Sequence, residues 1–177
     1  MTNFNLDRLS QELVRLEEAG TATSKGRKLQ DLMEYLLSQI PGLTIINRNT
    51  LDTARSEEKD LWLKHDPRLS GLPFADLAVP VECKNERTRA SAAYIREFAT
   101  KIRDSGGFDG LFVAKAGLAG SAGYSAHSAI TSELSHGIRI TVITGEDIAA
   151  LRSAEDLIAL LQDRYTELRL FQTYKSI

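Results

Sequence analysis

The run Leu111-Phe112-Val113-Ala114 constrains the fold of this chain more than any other stretch. A continuous apolar run without alternation does not suit a solvated sheet face; it belongs to a central strand covered on both sides. Such cover comes from helices, and helical patterns flank the run. Leu29, Leu32, Met33, Leu36, Leu37 and Ile40 form an apolar stripe over 24–40, stopped by Pro41-Gly42. Tyr94, Ile95, Phe98 and Ile102 face inward over 88–105, which Gly106-Gly107 closes. A segment rich in Gly, Ala and Ser at 116–125 leads into a helix ending near His136-Gly137.

The strand patterns complete an alternation of elements. Thr44-Ile45-Ile46-Asn47-Arg48 is the first. Asp60-Leu61-Trp62-Leu63-Lys64 follows, with Leu61 and Leu63 to the core and Asp60, Trp62 and Lys64 on the other face. A loop at 65–73 precedes a strand over 74–84, where Pro80 marks a strand entry or a bulge. The last strand is 138–143. Thr144 with Asp147 resembles a capping box opening a short helix, and a further helix runs from Ser153 to about residue 165. This order predicts an α/β fold with a mixed sheet, its first strands an antiparallel meander and its later ones crossover units.

A chain of 177 residues holds one well-buried core, and no repeat or linker divides it. Residues 21–177 are expected to be that single domain. Residues 1–20 carry an amphipathic helix built on Leu6, Leu9, Leu13 and Leu16, a surface for docking on a partner subunit or for a homodimer. The formal net charge of −2 excludes a nucleic-acid binder driven by bulk charge but leaves room for a local basic patch. No apolar run reaches the roughly 20 residues that span a bilayer. The N-terminus lacks a signal-peptide pattern, and the single cysteine suits a reducing compartment, so the expected location is cytoplasmic with no membrane partner.

Chemistry concentrates in Val79-Pro80-Val81-Glu82-Cys83-Lys84-Asn85. Alternation puts Val81 and Cys83 on one face and Glu82 and Lys84 on the other. Two readings stand. One is a salt bridge on a solvated sheet face, worth about 0.2–1 kcal/mol. The other is a metal ligand beside a charge-stabilising lysine. If the strands pair antiparallel, Asp60 and Glu82 converge, and two carboxylates from neighbouring strands suit Mg²⁺. Asp76 is a lesser candidate for the same face. His65, His127 and His136 show no metal-ligand spacing, and the glycines of 117–123 match no phosphate-binding motif. Arg87, Arg89, Arg96, Lys101 and Arg103 are the best candidates for contacts to a nucleic-acid backbone.

Asp60 followed by Glu82-Cys83-Lys84 resembles the PD-(D/E)xK nuclease superfamily, which has the restriction-endonuclease-like fold. Gly26-x-x-Leu29, Ser56-Glu57-Glu58-Lys59-Asp60 and Val81-Glu82-Cys83-Lys84-Asn85 look closest to its Mrr-like branch, and the likeness extends over residues 24–165. The resemblance implies a three-layer α/β/α domain with a central mixed sheet and a Mg²⁺- or Mn²⁺-dependent endonuclease acting on DNA. It implies that Asp60 and Glu82 bind the metal with the Cys83 backbone carbonyl, and that Lys84 is the catalytic lysine. Gln30 departs from the family, which often carries a glutamate on this helix; it keeps a carbonyl but removes a charge. Glu34, one turn later, is its substitute, and together they imply a site for one metal rather than two. The alternative on the same fold is a weakened or inactive nucleic-acid-binding or assembly module.

Overall fold

A computed structural model describes residues 3–18, 20–51, 57–120 and 125–171, with side chains at 22–23, 47–51, 57–60 and 171 outside the description. Two helices come first, α1 (Leu6–Glu17) and α2 (Ala22–Leu37), then the strands β1 (Leu43–Leu51) and β2 (Glu57–His65). A short helix α3 (Pro67–Ser70) precedes β3 (Ala78–Lys84). The remainder alternates: α4 (Ala92–Asp104), β4 (Asp109–Ala114), α5 (Ala126–Ser135), β5 (Arg139–Thr144), α6 (Gly145–Ala150) and α7 (Ala154–Phe171).

The sheet order is β1-β2-β3-β4-β5. The pairs β1–β2 and β2–β3 are antiparallel, and β3–β4 and β4–β5 are parallel. This is the expected mixed sheet in a three-layer α/β/α arrangement. Both parallel crossovers step the same way across the sheet, so right-handed connections put α4 and α5 on one face. Helices α1, α2, α6 and α7 cover the other, where Leu61, Leu63, Val79, Val81, Leu111 and Val113 meet Leu29, Leu32, Leu36, Leu157 and Leu161. Phe112, Ala114, Ile140 and Val142 meet Ile95, Phe98, Ile102 and Ile130 on the α4–α5 side. The run at 111–114 is buried on both faces, as its composition requires.

The N-terminal helix uses its apolar stripe within the chain. Phe4, Leu9 and Leu16 are buried in the core shared with α2, while Leu6 and Val14 remain exposed. Thr21 caps α2 by accepting from the Ser24 amide, and Thr144 and Asp147 form the anticipated reciprocal capping box of α6. No helix among the described residues is long and apolar enough to cross a membrane.

Some features differ from expectation in ways that shape the sheet. Strand β3 begins at Ala78, because residues 75–77 bend around a buried acid. The Ala75 and Asp76 amides donate to Asp109 Oδ2 at 2.7 and 3.0 Å, and the Asp109 amide donates back to Asp76 Oδ2 at 2.7 Å. Pro80 lies inside β3 opposite Trp62, without a bulge. Pairing with β4 starts at Val81, so the missing proline donor falls before that ladder begins. Helix α7 runs six residues further than the periodicity suggests, to Phe171, and buries Leu168 against the α4–α5 core.

Asp109 is fully buried, and Arg139 Nε donates to its Oδ1 at 2.6 Å. Removing the carboxylate strands two amides and a cation. Asp109→Ala is therefore expected to lose about 3–5 kcal/mol in chemical denaturation. Gly110 packs directly under α4: an added Cβ lies 2.4 Å from Ile102 Cδ1 and 2.7 Å from Phe98 Cε1. Gly110→Ala is expected to cost about 1–3 kcal/mol on the same measurement, by overpacking α4.

Candidate active site

Because Val79, Val81 and Cys83 fill the α1–α2 side of β3, Glu82 and Lys84 must point toward α4. There Lys84 Nζ lies 2.9 Å from Glu82 Oε1, and Lys101 Nζ of α4 lies 3.6 Å from Oε2. All three side chains are largely shielded from solvent, with exposures of 23–29%. Lys84 Nζ also sits 4.5 Å from the centroid of the Tyr94 ring, and the Tyr94 hydroxyl donates to Glu86 Oε1 at 2.9 Å. Two ammonium groups thus flank the one Glu82 carboxylate, with Glu86 and Glu97 also within electrostatic reach.

Burial works to lower the Lys84 pKa, but the charge and hydrogen bond of Glu82, with Glu97 and Tyr94 adding, carry it above its ordinary 10.5. At neutral pH Lys84 is an ammonium, suited to donating hydrogen bonds and stabilising anionic charge and unsuited to taking a proton. The hydrogen bond to Glu86 raises the Tyr94 hydroxyl in turn. Burial pushes the Cys83 thiol well up, and neighbouring Glu82 adds to this, so Cys83 is an uncharged thiol against the α1–α2 core.

The backbone relates the remaining expected ligands to this cluster. Asp60 lies on β2 opposite Arg48, next to Leu61, whose partner in β3 is Val81. One register step separates that pair from Asp60 and Glu82; the Asp60 side chain lies outside the described residues. The Lys84 carbonyl accepts from the Lys115 amide on the β4 side. Carbonyl direction alternates along a strand, so the Cys83 carbonyl points to the β2 side, the side of Asp60. The Glu82 carboxylate and this carbonyl are hard oxygen donors that fit Mg²⁺ or Mn²⁺. No group of three or more metal-ligating side chains occurs among the described residues, a set that excludes the Asp60 side chain.

Glu34 lies elsewhere. It lines a shallow cavity of about 620 Å³ with Arg8, Asp31, Tyr35 and Thr44, on the α1–α2 side of the sheet. Gln30 is half-buried one turn earlier on α2, beside the stripe that packs on the face opposite Glu82. The alternation that turns Glu82 toward α4 therefore separates it from the helix expected to supply accessory groups. Asp76 is spent on the Phe108 and Asp109 amides and lies ahead of β3. His65 is structural, with Nδ1 2.9 Å from Ser70 Oγ and Nε2 2.9 Å from the Asp76 carbonyl.

The five basic residues divide. Arg87, Arg89 and Arg96 are exposed, Lys101 joins Glu82, and Arg103 NH1 pairs with Glu133 of α5 at 2.5 Å. The sequence reading placed Tyr94 in the core and missed its role under Lys84. Their i, i+7 spacing was the available signal that Tyr94 and Lys101 share one helix face.

A raised Lys84 pKa means that its ion pair contributes stability fully below pH 10.5 and loses it as pH rises through the folded-state value. Lys84→Met is expected to remove about 1 kcal/mol at pH 8 and to flatten the fall in stability above pH 10.5, read from denaturation at a series of pH values. Neither the scan against protein-family models nor the search of curated proteins finds a match for this chain, so the reading of the site rests on its own geometry and on the motif likeness.

Proposed function

We infer that this chain is a metal-dependent phosphodiesterase acting on nucleic acid, with DNA as the substrate and the cytoplasm as its setting. The observation that carries the reading is the shielded Glu82–Lys84 pair on one face of β3, with Glu82 and Asp60 each one residue beyond the Val81–Leu61 pair of the ladder. A solvated salt bridge does not explain why two charges are held under a helix together with a second lysine. In this reading Asp60, Glu82 and the Cys83 carbonyl hold Mg²⁺ or Mn²⁺. When bound, the metal would supply Lewis-acid polarisation of a phosphoryl oxygen and make a bound water more acidic than bulk water. Lys84, fixed as an ammonium, donates to the phosphoryl oxygens where negative charge develops. Lys101, on the far side of Glu82, keeps that carboxylate from reaching into solvent and adds positive charge for the substrate.

The same contacts favour one second reading. Lys84 and Lys101, one beside each Glu82 oxygen, offer ammonium donors to a phosphate without a metal, as a nucleic-acid-binding module with weakened chemistry requires.

Plasmid cleavage in Mg²⁺ and in Mn²⁺ tests the enzyme. Wild type is expected to nick or cut, and Asp60→Ala, Glu82→Ala and Lys84→Ala each to lose about 10²-fold or more in rate. Full activity in Asp60→Ala and Lys84→Ala would overturn the assigned roles. Calorimetry with Mn²⁺ separates the second reading: DNA binding retained without any divalent-metal binding selects the module over the enzyme.

A further inference from the structure

The parallel strands end in a second cationic cluster that the candidate active site does not use. Lys115 follows β4 directly; its amide donates to the Lys84 carbonyl at 3.0 Å and its carbonyl accepts from the Gly145 amide at 3.1 Å. Gly145 has no room for a side chain, since a Cβ there lies 2.8 Å from the Lys115 carbonyl oxygen. Lys115 is thus held on both sides. Its side chain is 17% exposed and turns to the α1 layer, whereas Lys84 next to it turns to α4. Asn85, just past β3, is buried and donates through Nδ2 to the Leu16 carbonyl at 3.4 Å and the Lys25 carbonyl at 2.9 Å. That bond ties the end of α1 and the start of α2 to the strand ends. Arg87 follows two residues later and is exposed.

One carboxylate occupies this cationic corner. Glu17, the last residue of α1, pairs with Lys115, and its side chain is 67% exposed. Lys115 holds the Glu17 carboxyl below its ordinary 4.5 through a hydrogen bond and its charge, and Arg87 and Lys25 contribute at longer range. Lys115 thus contacts Glu17 directly, and Arg87 and Lys25 lie within electrostatic reach of the same carboxylate. The partners are unequal in a telling way. The Lys115 side chain is shielded and its backbone is bonded on both sides, so its ammonium needs an anion; Glu17 is exposed at a helix end and can leave at little cost once another anion takes its place.

We propose that Lys25, Arg87 and Lys115 form a subsite for the phosphodiester backbone at the C-terminal edge of the sheet, and that Glu17 fills it in the absence of nucleic acid. The subsite rests on the nuclease reading only for its ligand. A phosphate entering the corner takes the place of Glu17 on Lys115, and its strand continues across the sheet edge toward Lys84. The C-terminal edge of parallel strands is where open α/β sheets bind ligands. The exchange makes Glu17 a competitor of the substrate, so free protein binds more weakly than its cation count implies.

Fluorescence anisotropy with a labelled DNA duplex, in EDTA so that no cleavage is read, tests this across a salt series. Lys115→Gln and Arg87→Gln are each expected to weaken binding by about threefold to tenfold and to reduce the slope of log K against log salt by about 1. Glu17→Gln is expected to tighten binding about threefold or more. Glu18→Gln, whose partner is Lys28 at 2.8 Å, is expected to leave it unchanged. Arg87 is exposed, so its variant reports even if Lys115→Gln folds poorly. Unchanged salt slopes in both cation variants, or no gain with Glu17→Gln, overturn the subsite while leaving the cleavage reading to its own assay. No DNA binding by the wild type overturns the subsite and the nucleic-acid reading together.

Discussion

Strand β3 carries the constraint on which the rest of the structure depends. It is antiparallel to β2 over 78–81 and parallel to β4 over 81–84, so the sheet changes character along this one strand. Both of its faces are covered, and alternation leaves no freedom in what each face receives. Val79 and Val81 complete the larger core, and Cys83 packs beside them. Glu82 and Lys84 are then forced under α4, where an isolated charge would be costly. Their mutual pairing, the second ammonium of Lys101 and the Tyr94 ring offset that cost. The chemistry of the cluster is thus a consequence of how the sheet is covered.

The two ends of the parallel strands are electrostatic opposites. At the N-terminal end, Asp76 and Asp109 are saturated with backbone amides, and Arg139 completes Asp109. Every polar group named there has its partner, and the result is rigidity. At the C-terminal end, Lys84 and Lys115 stand on neighbouring chain segments with fewer acids than cations about them. A chain of net charge −2 thereby concentrates positive charge at one sheet edge. Bulk charge is a poor guide to such a surface, because potential depends on where charges gather.

Much of this architecture was legible before any coordinates. The apolar run at 111–114, the stripe of α2, the alternation of β2 and β3 and the capping box of α6 are local signals, and each lies where it was read. Pro80 misled toward a bulge because sequence does not show where a neighbouring ladder starts. Asp76 looked available because its acceptors' partners, the Phe108 and Asp109 amides, are far along the chain. Glu34 was expected to stand in for Gln30 because it lies one turn later on the same border of α2, yet it lines a cavity on the face opposite Glu82.

The sequence by itself determined which residues alternate, which helices are amphipathic and that Glu82 and Lys84 share a face. Those properties follow from the periods of strand and helix, which are set within a few residues. Only the tertiary structure decided that the shared face lies under α4, that Lys101 and Tyr94 meet the pair there, and that Glu17 reaches Lys115. These contacts depend on the direction of the crossovers and on the docking of α1, and both are settled when the two cores close around the sheet.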